Sequence, residues 1–328
     1  MKILPLAVGG AGIALLAGMS AAQTGSSPQS YPVRPIRIIV PNTAGSALDI
    51  ASRLVAQRLT DSMGQQTVVD NRAGATGTIG LEIAMKAPPD GYTLVVATSA
   101  ALSVNPLLSK LPYDPVRDFE PISLLVISPQ LLFSHAGLPA KTVDELVALA
   151  RARPGQLNCA SPGFGTTNHL GCELLKTMTG VNFVHVPYKG TSPAISDVVG
   201  GQVQFMFNSM PPILPLVRGG KLRAIALGAT KRSPAAPEIP IVAETLPGFQ
   251  CVTWYALFGP RGVPSAIVAR LNGEVVKMFA DAPFAQRISD MGQEPTPTSP
   301  AELLAHMRSE SKRWSQVINA AGLNKLER

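Results

Sequence analysis

Three short stretches of this 328-residue chain concentrate glycine and hydroxyl side chains just ahead of a helical pattern. They are Thr43-Ala44-Gly45-Ser46-Ala47, Gly74-Ala75-Thr76-Gly77-Thr78 and Ser161-Pro162-Gly163-Phe164-Gly165-Thr166-Thr167. Glycine lets backbone N–H groups converge, hydroxyls add donors, and the start of a helix carries about half a positive charge. A loop with all three properties favours a small anion such as a carboxylate, with no arginine required. One such loop is ordinarily a turn and a cap. Their spread along the chain points instead to several walls of one anion-binding cleft.

Other chemistry finds little support. The histidines His135, His169, His185 and His306 are far apart and form no HExxH-type pair. His169, two residues past Thr167, reads equally as a ligand contact and as a helix residue with a satisfied hydrogen bond. Cys159 with His169 would make a nucleophile and base only if the thiol were accessible, and buried cysteine is the ordinary outcome. The chain has no GxSxG elbow, SxxK or Walker loop. The string from Gly74 to Gly80 resembles a nucleotide loop, which makes an NAD(P)-dependent oxidoreductase the rival reading. That loop belongs at the end of the first strand, with an acidic residue roughly 20 positions on. Here Asp70-Asn71-Arg72 intervenes and the region around Ala97 has no carboxylate. No enzyme activity, cofactor or metal is expected.

The elements that must position the loops come next. Hydrophobic residues are 46% and charged residues 15%, enough apolar material for buried cores and too much for disorder. A chain of this length exceeds one average core and suits two. The net charge of +7 mildly favours anionic ligands. With aromatics at 5% and the basic residues scattered, nucleic acid is not an expected partner. Lys2, an apolar small-residue run over 3–19 and Ser20-Ala21-Ala22 read as a signal peptide cleaved near Ala22, which places the mature protein in the periplasm. Residues 23–30 are a polar lead-in, and no cysteine follows the signal segment to take a lipid. Cys159, Cys172 and Cys251 show no metal spacing; buried free thiols are expected, with one disulfide left open.

Apolar patterning gives strands at 36–40, 67–69 and 93–97, with a helix through Ile50, Leu54 and Leu59. A second series alternates strand and helix from a strand at 131–134 to one at 223–227. It includes a helix over 143–152 opened by a Thr142/Glu145 capping box. A strand at 252–258 and three helices follow, the last opened by Ser299, Pro300 and Glu302. Long apolar segments at 122–128 and 249–258 read as crossover strands. The expected fold is α/β: two doubly wound domains joined by crossover strands, domain 1 being 31–127 plus 250–328 and domain 2 being 128–249.

Several strings, in order along the chain, resemble the Bug (TctC) family, the substrate receptors of tripartite tricarboxylate transporters. They include Val69-Asp70-Asn71-Arg72-Ala73-Gly74-Ala75, Pro89-Asp90-Gly91-Tyr92-Thr93-Leu94, Leu111-Pro112-Tyr113-Asp114-Pro115 and Val184-His185-Val186-Pro187-Tyr188-Lys189-Gly190. The resemblance implies a periplasmic binding protein-like, type II architecture, acting as a monomer. It implies a small carboxylate captured between the lobes and handed to membrane permease subunits or, alternatively, signalled to a membrane sensor. Carried over by position, it points to Thr43, Ala44, Gly45, Ser46 and Asp49, to Gly74, Ala75 and Thr76, and to Ser161, Gly165, Thr166, Thr167 and His169. Asp49 is expected to brace its own helix. Where many relatives have aspartate after Met-Phe, this chain has Asn208, which implies a plain carboxylic acid in preference to an acidic amino acid.

Overall fold

A computed structural model describes Met1 and residues 31–320. The expected leader and its cleavage point at Ala22 lie outside the described residues. All elements below belong to the unit Pro32–Arg328.

Strand β1 (Ile36–Val40) is four-fifths buried, as its run of isoleucine and valine requires. It pairs in parallel with β2 (Thr67–Asn71) and β3 (Thr93–Thr98). Helix α1 (Ala47–Met63) connects β1 to β2, and α2 (Thr78–Met85) connects β2 to β3. The chain then makes a π-helical turn at Ala100–Val104 and a short α3 (Asn105–Leu108). Strand β4 (Phe119–His135) follows; at 17 residues it is the spine of the molecule.

Beyond β4 come α4 (Val143–Ala152), β5 (Asn158–Ser161), α5 (Thr167–Thr179), β6 (Val184–Pro187), α6 (Thr191–Val199), β7 (Phe205–Ser209), α7 (Leu214–Arg218) and β8 (Leu222–Leu227). The chain returns through β9 (Val252–Pro260), α8 (Ser265–Ala280), α9 (Ala282–Asp290), β10 (Glu294–Pro295) and α10 (Pro300–Ala320). The sheet order is β2-β1-β3-β9-β4-β7-β5-β6, with β8 and β10 also on β4. Through residue 129, β4 pairs with β9 and β10; from Gln130 it pairs with β7 and β8. The sheet therefore has two halves that share one strand.

The sequence pattern gives separate strands at 122–128 and 131–134, which the structure joins into β4. In the structure Pro129 sits where β4 changes partners, so its missing N–H costs the ladder little, and the next donor, Gln130 N–H, is taken by the Cys251 carbonyl at 3.0 Å. The Ser299/Glu302 capping box forms as read, each satisfying the other, whereas Thr142 caps Glu145 N–H but the Glu145 carboxylate turns to Lys141 N–H instead of Thr142 N–H.

Each half has its own core. Ile39, Val95, Trp254 and Phe258 of the first half pack with Leu303 and Met307 of α10. In the second half, α4 and α5 cover one face of the sheet through Leu146 and Leu175, and α6 covers the other through Ile195 and Val198. This is the doubly wound arrangement. Cys159 of β5 and Cys172 of α5 are joined as a disulfide with Cα atoms 6.5 Å apart, which corrects the expectation of free thiols for this pair. The pairing is created by α5 folding back on β5, a contact that spacing alone does not reveal. Cys251 is free and buried, and burial pushes its thiol up to about 12.

Candidate functional site

A cavity of about 370 Å³ lies between the two halves, lined from both. Its walls come from the segments that follow β1, β2, β3, β5 and β6, the carboxyl ends of strands where an open α/β sheet leaves a crevice.

From the first half, Asn42 and the first turn of α1, Ala47 and Leu48, line the cavity. So do all four residues of the turn from Gly74 to Gly77. These four have positive φ, at 129°, 45°, 55° and 93°, although Ala75 and Thr76 carry side chains. Left-handed backbone of this kind costs roughly 1–2 kcal/mol per non-glycine residue. The run swings the chain from β2 into the start of α2, which therefore aims its N-terminus at the cavity.

From the second half, Gly163, Phe164 and the start of α5 at Thr166, Thr167 and Asn168 form the facing wall. Helix starts expose N–H groups without intrahelical partners, so α1, α2 and α5 each bring donors and partial positive charge to one space. Lys189 is the one charged side chain among the described residues that line it.

Of the fourteen positions singled out in the sequence, six line the cavity: Gly74, Ala75, Thr76, Thr166, Thr167 and Asn208. Thr43, Ala44, Gly45, Ser46, Asp49, Ser161, Gly165 and His169 are not among the lining residues, and each has a structural occupation. Ser46 is buried and caps α1 by accepting from Asp49 N–H at 3.2 Å. Asp49 accepts from Gly45 N–H at 2.9 Å, Asn71 Nδ2 at 2.9 Å and Arg53 Nε at 3.0 Å. Burial opposes its ionisation, but these hydrogen bonds outweigh burial and hold its carboxyl below the usual range. It braces the loop. Ala44 and Gly45 are exposed on the outer rim.

The rim is closed across the halves. Ser192 Oγ donates to the Ala44 carbonyl at 2.7 Å, and Ser192 N–H donates to Thr43 Oγ1 at 3.2 Å. Thr191 Oγ1 donates to Asn42 Oδ1 at 3.3 Å. On the other side of the opening, Thr76 Oγ1 donates to the Phe164 carbonyl at 3.0 Å. Gly190 permits the approach: a Cβ there would lie 2.5 Å from Thr43 Cγ2.

Ser161, Gly165 and His169 form the scaffold under the facing wall. The His169 and His185 rings stack with centroids 4.0 Å apart, and the Phe164 ring meets both edge-on. Gly165 N–H donates to His169 Nδ1 at 3.2 Å, and Ser161 Oγ lies 2.6 Å from His185 Nε2. Burial, reinforced by the neighbouring His185 and Lys176, lowers His169 to about 3; burial and Lys176 lower His185 to about 4. Both rings are therefore neutral near pH 7, and the wall rests on an uncharged pair.

The floor is a polar network that the sequence did not single out. Gln130 Nε2 donates to the Ser128 carbonyl at 3.1 Å and to Ser209 Oγ at 2.8 Å, and Ser209 Oγ lies 2.9 Å from the Tyr255 hydroxyl. Thr253 Oγ1 lies 2.8 Å from Ser99 Oγ. Burial pushes Tyr255 up to about 12, so it stays a neutral phenol. These side chains come from β4, β7, β9 and the residue after β3, far apart in sequence. Only the strand alternation that turns every second residue inward hints at them.

Arrangement and sequence agree with known proteins. The profile of the tripartite tricarboxylate transporter family receptor matches residues 51–323. The chain belongs to this family. Protein BugT of Bordetella pertussis is 35% identical over 299 residues, covering 90% of this chain and 92% of BugT. The R. palustris protein Rpa4515, solved with adipate, superposes with a TM-score of 0.87 at 36% identity, covering 89% of this chain and 98% of that one. MatC from Rhodopseudomonas palustris, solved with bound malate, superposes with a TM-score of 0.83 at 34% identity, covering 88% of this chain and 100% of that one. The tripartite tricarboxylate transporter receptors are solute-binding proteins, and the family strings read from the sequence lead to the same assignment. The string at Gly74, which also resembles a nucleotide loop, follows β2 and builds a receptor wall. No helix among the described residues is long and apolar enough to cross a membrane.

Proposed function

We propose that this receptor captures a small carboxylate in the cavity and delivers it, in the periplasm, to the permease subunits of a tripartite tricarboxylate transporter. The observation that carries this reading is the convergence of the starts of α1, α2 and α5 on a space lined, among the described residues, by no acidic side chain. An anion buried there exchanges water for N–H and hydroxyl donors, the condition under which a charge tolerates burial. The adipate and malate found in the solved relatives are acids of the same class.

Capture works by closure. Residues 31–127 with 250–328 form one lobe and 128–249 the other, and β4 and the segment leading into β9 act as the hinge. The hydrogen bonds from Thr191 to Asn42, from Ser192 to Thr43 and from Thr76 to Phe164 are those of the closed form. A ligand touching both walls adds its own bonds to this set and shifts the balance towards closure. Chemistry on the ligand is not part of the scheme, because transport requires its release unchanged.

The test is a thermal-denaturation screen of the mature protein against aliphatic, aromatic and hydroxylated carboxylates, paired with native mass spectrometry of the protein as purified. A true ligand at about a hundred times its Kd stabilises the fold by about 2.7 kcal/mol. At least one acid is expected to do so while its neutral amide does not. If no carboxylate shifts the transition and no acid co-purifies, the proposal fails.

A further inference from the structure

Asn208, the penultimate residue of β7, carries an unmet donor. It lines the cavity and is buried, and its Nδ2 has no hydrogen-bond partner. Amide oxygen and nitrogen can exchange places in a side chain, so the orientation has to be fixed by neighbours. Here it is. The Asn168 amide nitrogen donates to the Phe207 main-chain carbonyl at 2.7 Å, which can only accept, so Asn168 cannot be turned round. The same nitrogen lies 3.0 Å from Gln130 Oε1 and 3.2 Å from Asn208 Oδ1. Gln130 is fixed the same way, through its donation to the Ser128 carbonyl. Asn208 must therefore present its oxygen to Asn168 and keep its NH₂ group for something else.

A buried donor without a partner is costly, and a site built around one discriminates strongly between ligands that satisfy it and ligands that do not. The neighbouring hydroxyls do not compete for the role, because Ser209 is matched to Tyr255 and Thr253 to Ser99. Resting on the reading that the cavity takes a carboxylate, we infer that Asn208 sets the second half of the specificity. The ligand carries, away from its first carboxylate, an acceptor oxygen that meets Asn208 Nδ2, and acids with an ammonium group at that point are refused. An ammonium group offers only hydrogens to a group that itself offers hydrogens. Asn168 is the positioning residue that holds this polarity.

The experiment is calorimetric titration with a matched set built on the chain length that binds tightest: the α,ω-diacid, the ω-hydroxy acid, the ω-amino acid and the plain acid. Wild type is expected to bind the better of the two oxygen-bearing acids at least about tenfold more tightly than the plain and ω-amino acids, the worth of one well-placed hydrogen bond. Asn208→Asp, which puts an acceptor where the donor was, is expected to reverse the order in favour of the ω-amino acid. Asn208→Leu should bring the oxygen-bearing acids down to the plain acid. The wild-type ranking stands as a test even if a variant fails to fold. Equal binding of all four acids by wild type overturns the inference while leaving carboxylate capture intact. If none of the four binds, carboxylate capture falls and this inference with it.

Discussion

The turn at Gly74–Gly77 and the loop over 161–169 look alike in sequence, both rich in glycine and hydroxyls ahead of a helix, yet they are held in opposite ways. The first is set by its own backbone: four successive positive φ values, two at residues with side chains, and every residue on the cavity. The second is set from beneath. Ser161, Gly165 and His169 point away from the cavity into a stacked histidine pair, and Cys159–Cys172 ties the two ends of the loop together. One wall stores strain and the other is propped. Composition announces an anion-friendly loop in both cases but does not say which residues face the ligand, because that depends on where the support comes from.

The comparison can be broken by perturbing each support. Acid should act only on the propped wall, and most strongly. The ordinary histidine value is 6.5, and burial holds His169 at about 3 and His185 at about 4 in the fold. The unfolded chain therefore binds more protons below pH 6.5. The stabilisation is complete above that pH and is lost as pH falls towards 4, by up to about 1.4 kcal/mol per pH unit for each ring. Denaturant melts from pH 7 to 4.5 should show this slope, reduced in His185→Asn; an unchanged slope would remove the prop. Next in size, Cys159→Ser with Cys172→Ser should lose about 3 kcal/mol, the chain-entropy value for a loop of this length, in urea unfolding. Thr166→Ala removes the α5 cap and should cost about 1 kcal/mol. Smallest, and opposite in sign, Ala75→Gly should raise the melting temperature slightly. Relief of left-handed strain outweighs the added chain entropy by less than about 1 kcal/mol. A loss on Ala75→Gly would mean that the turn is not strained.

Much of the frame was legible. The strand at 36–40 and the helix at 143–152 fall where periodicity put them, since both are short segments with a plain burial pattern and clear end signals. The strands read at 122–128 and 131–134 are one, because β4 runs on through Pro129 while its partners change there. In the site, the Gly74 turn was found by its glycines. The loop over 43–46 was placed on the ligand, yet its neighbours Asn42, Ala47 and Leu48 line the cavity while Thr43 and Ala44 reach Ser192 across the rim. That inversion is decided by the closing partner, 149 residues away from Thr43, and no local pattern records it. Asn168 and the floor residues Gln130, Ser209 and Tyr255 were missed for the same reason: each gains its meaning from a strand that is distant in sequence.

The central claim is that backbone N–H groups at three helix starts hold the ligand's carboxylate. Amide chemical shifts of the isotope-labelled mature protein, titrated with an acid that stabilises it, test this most directly. The account predicts that the amides of Ala47, Leu48, Ala75, Thr76, Thr167 and Asn168 move together and saturably, with larger displacements than those of Gly45 and Gly165, whose N–H groups are already taken by Asp49 and His169. Saturable binding that leaves the amides of the three helix starts in place would contradict it.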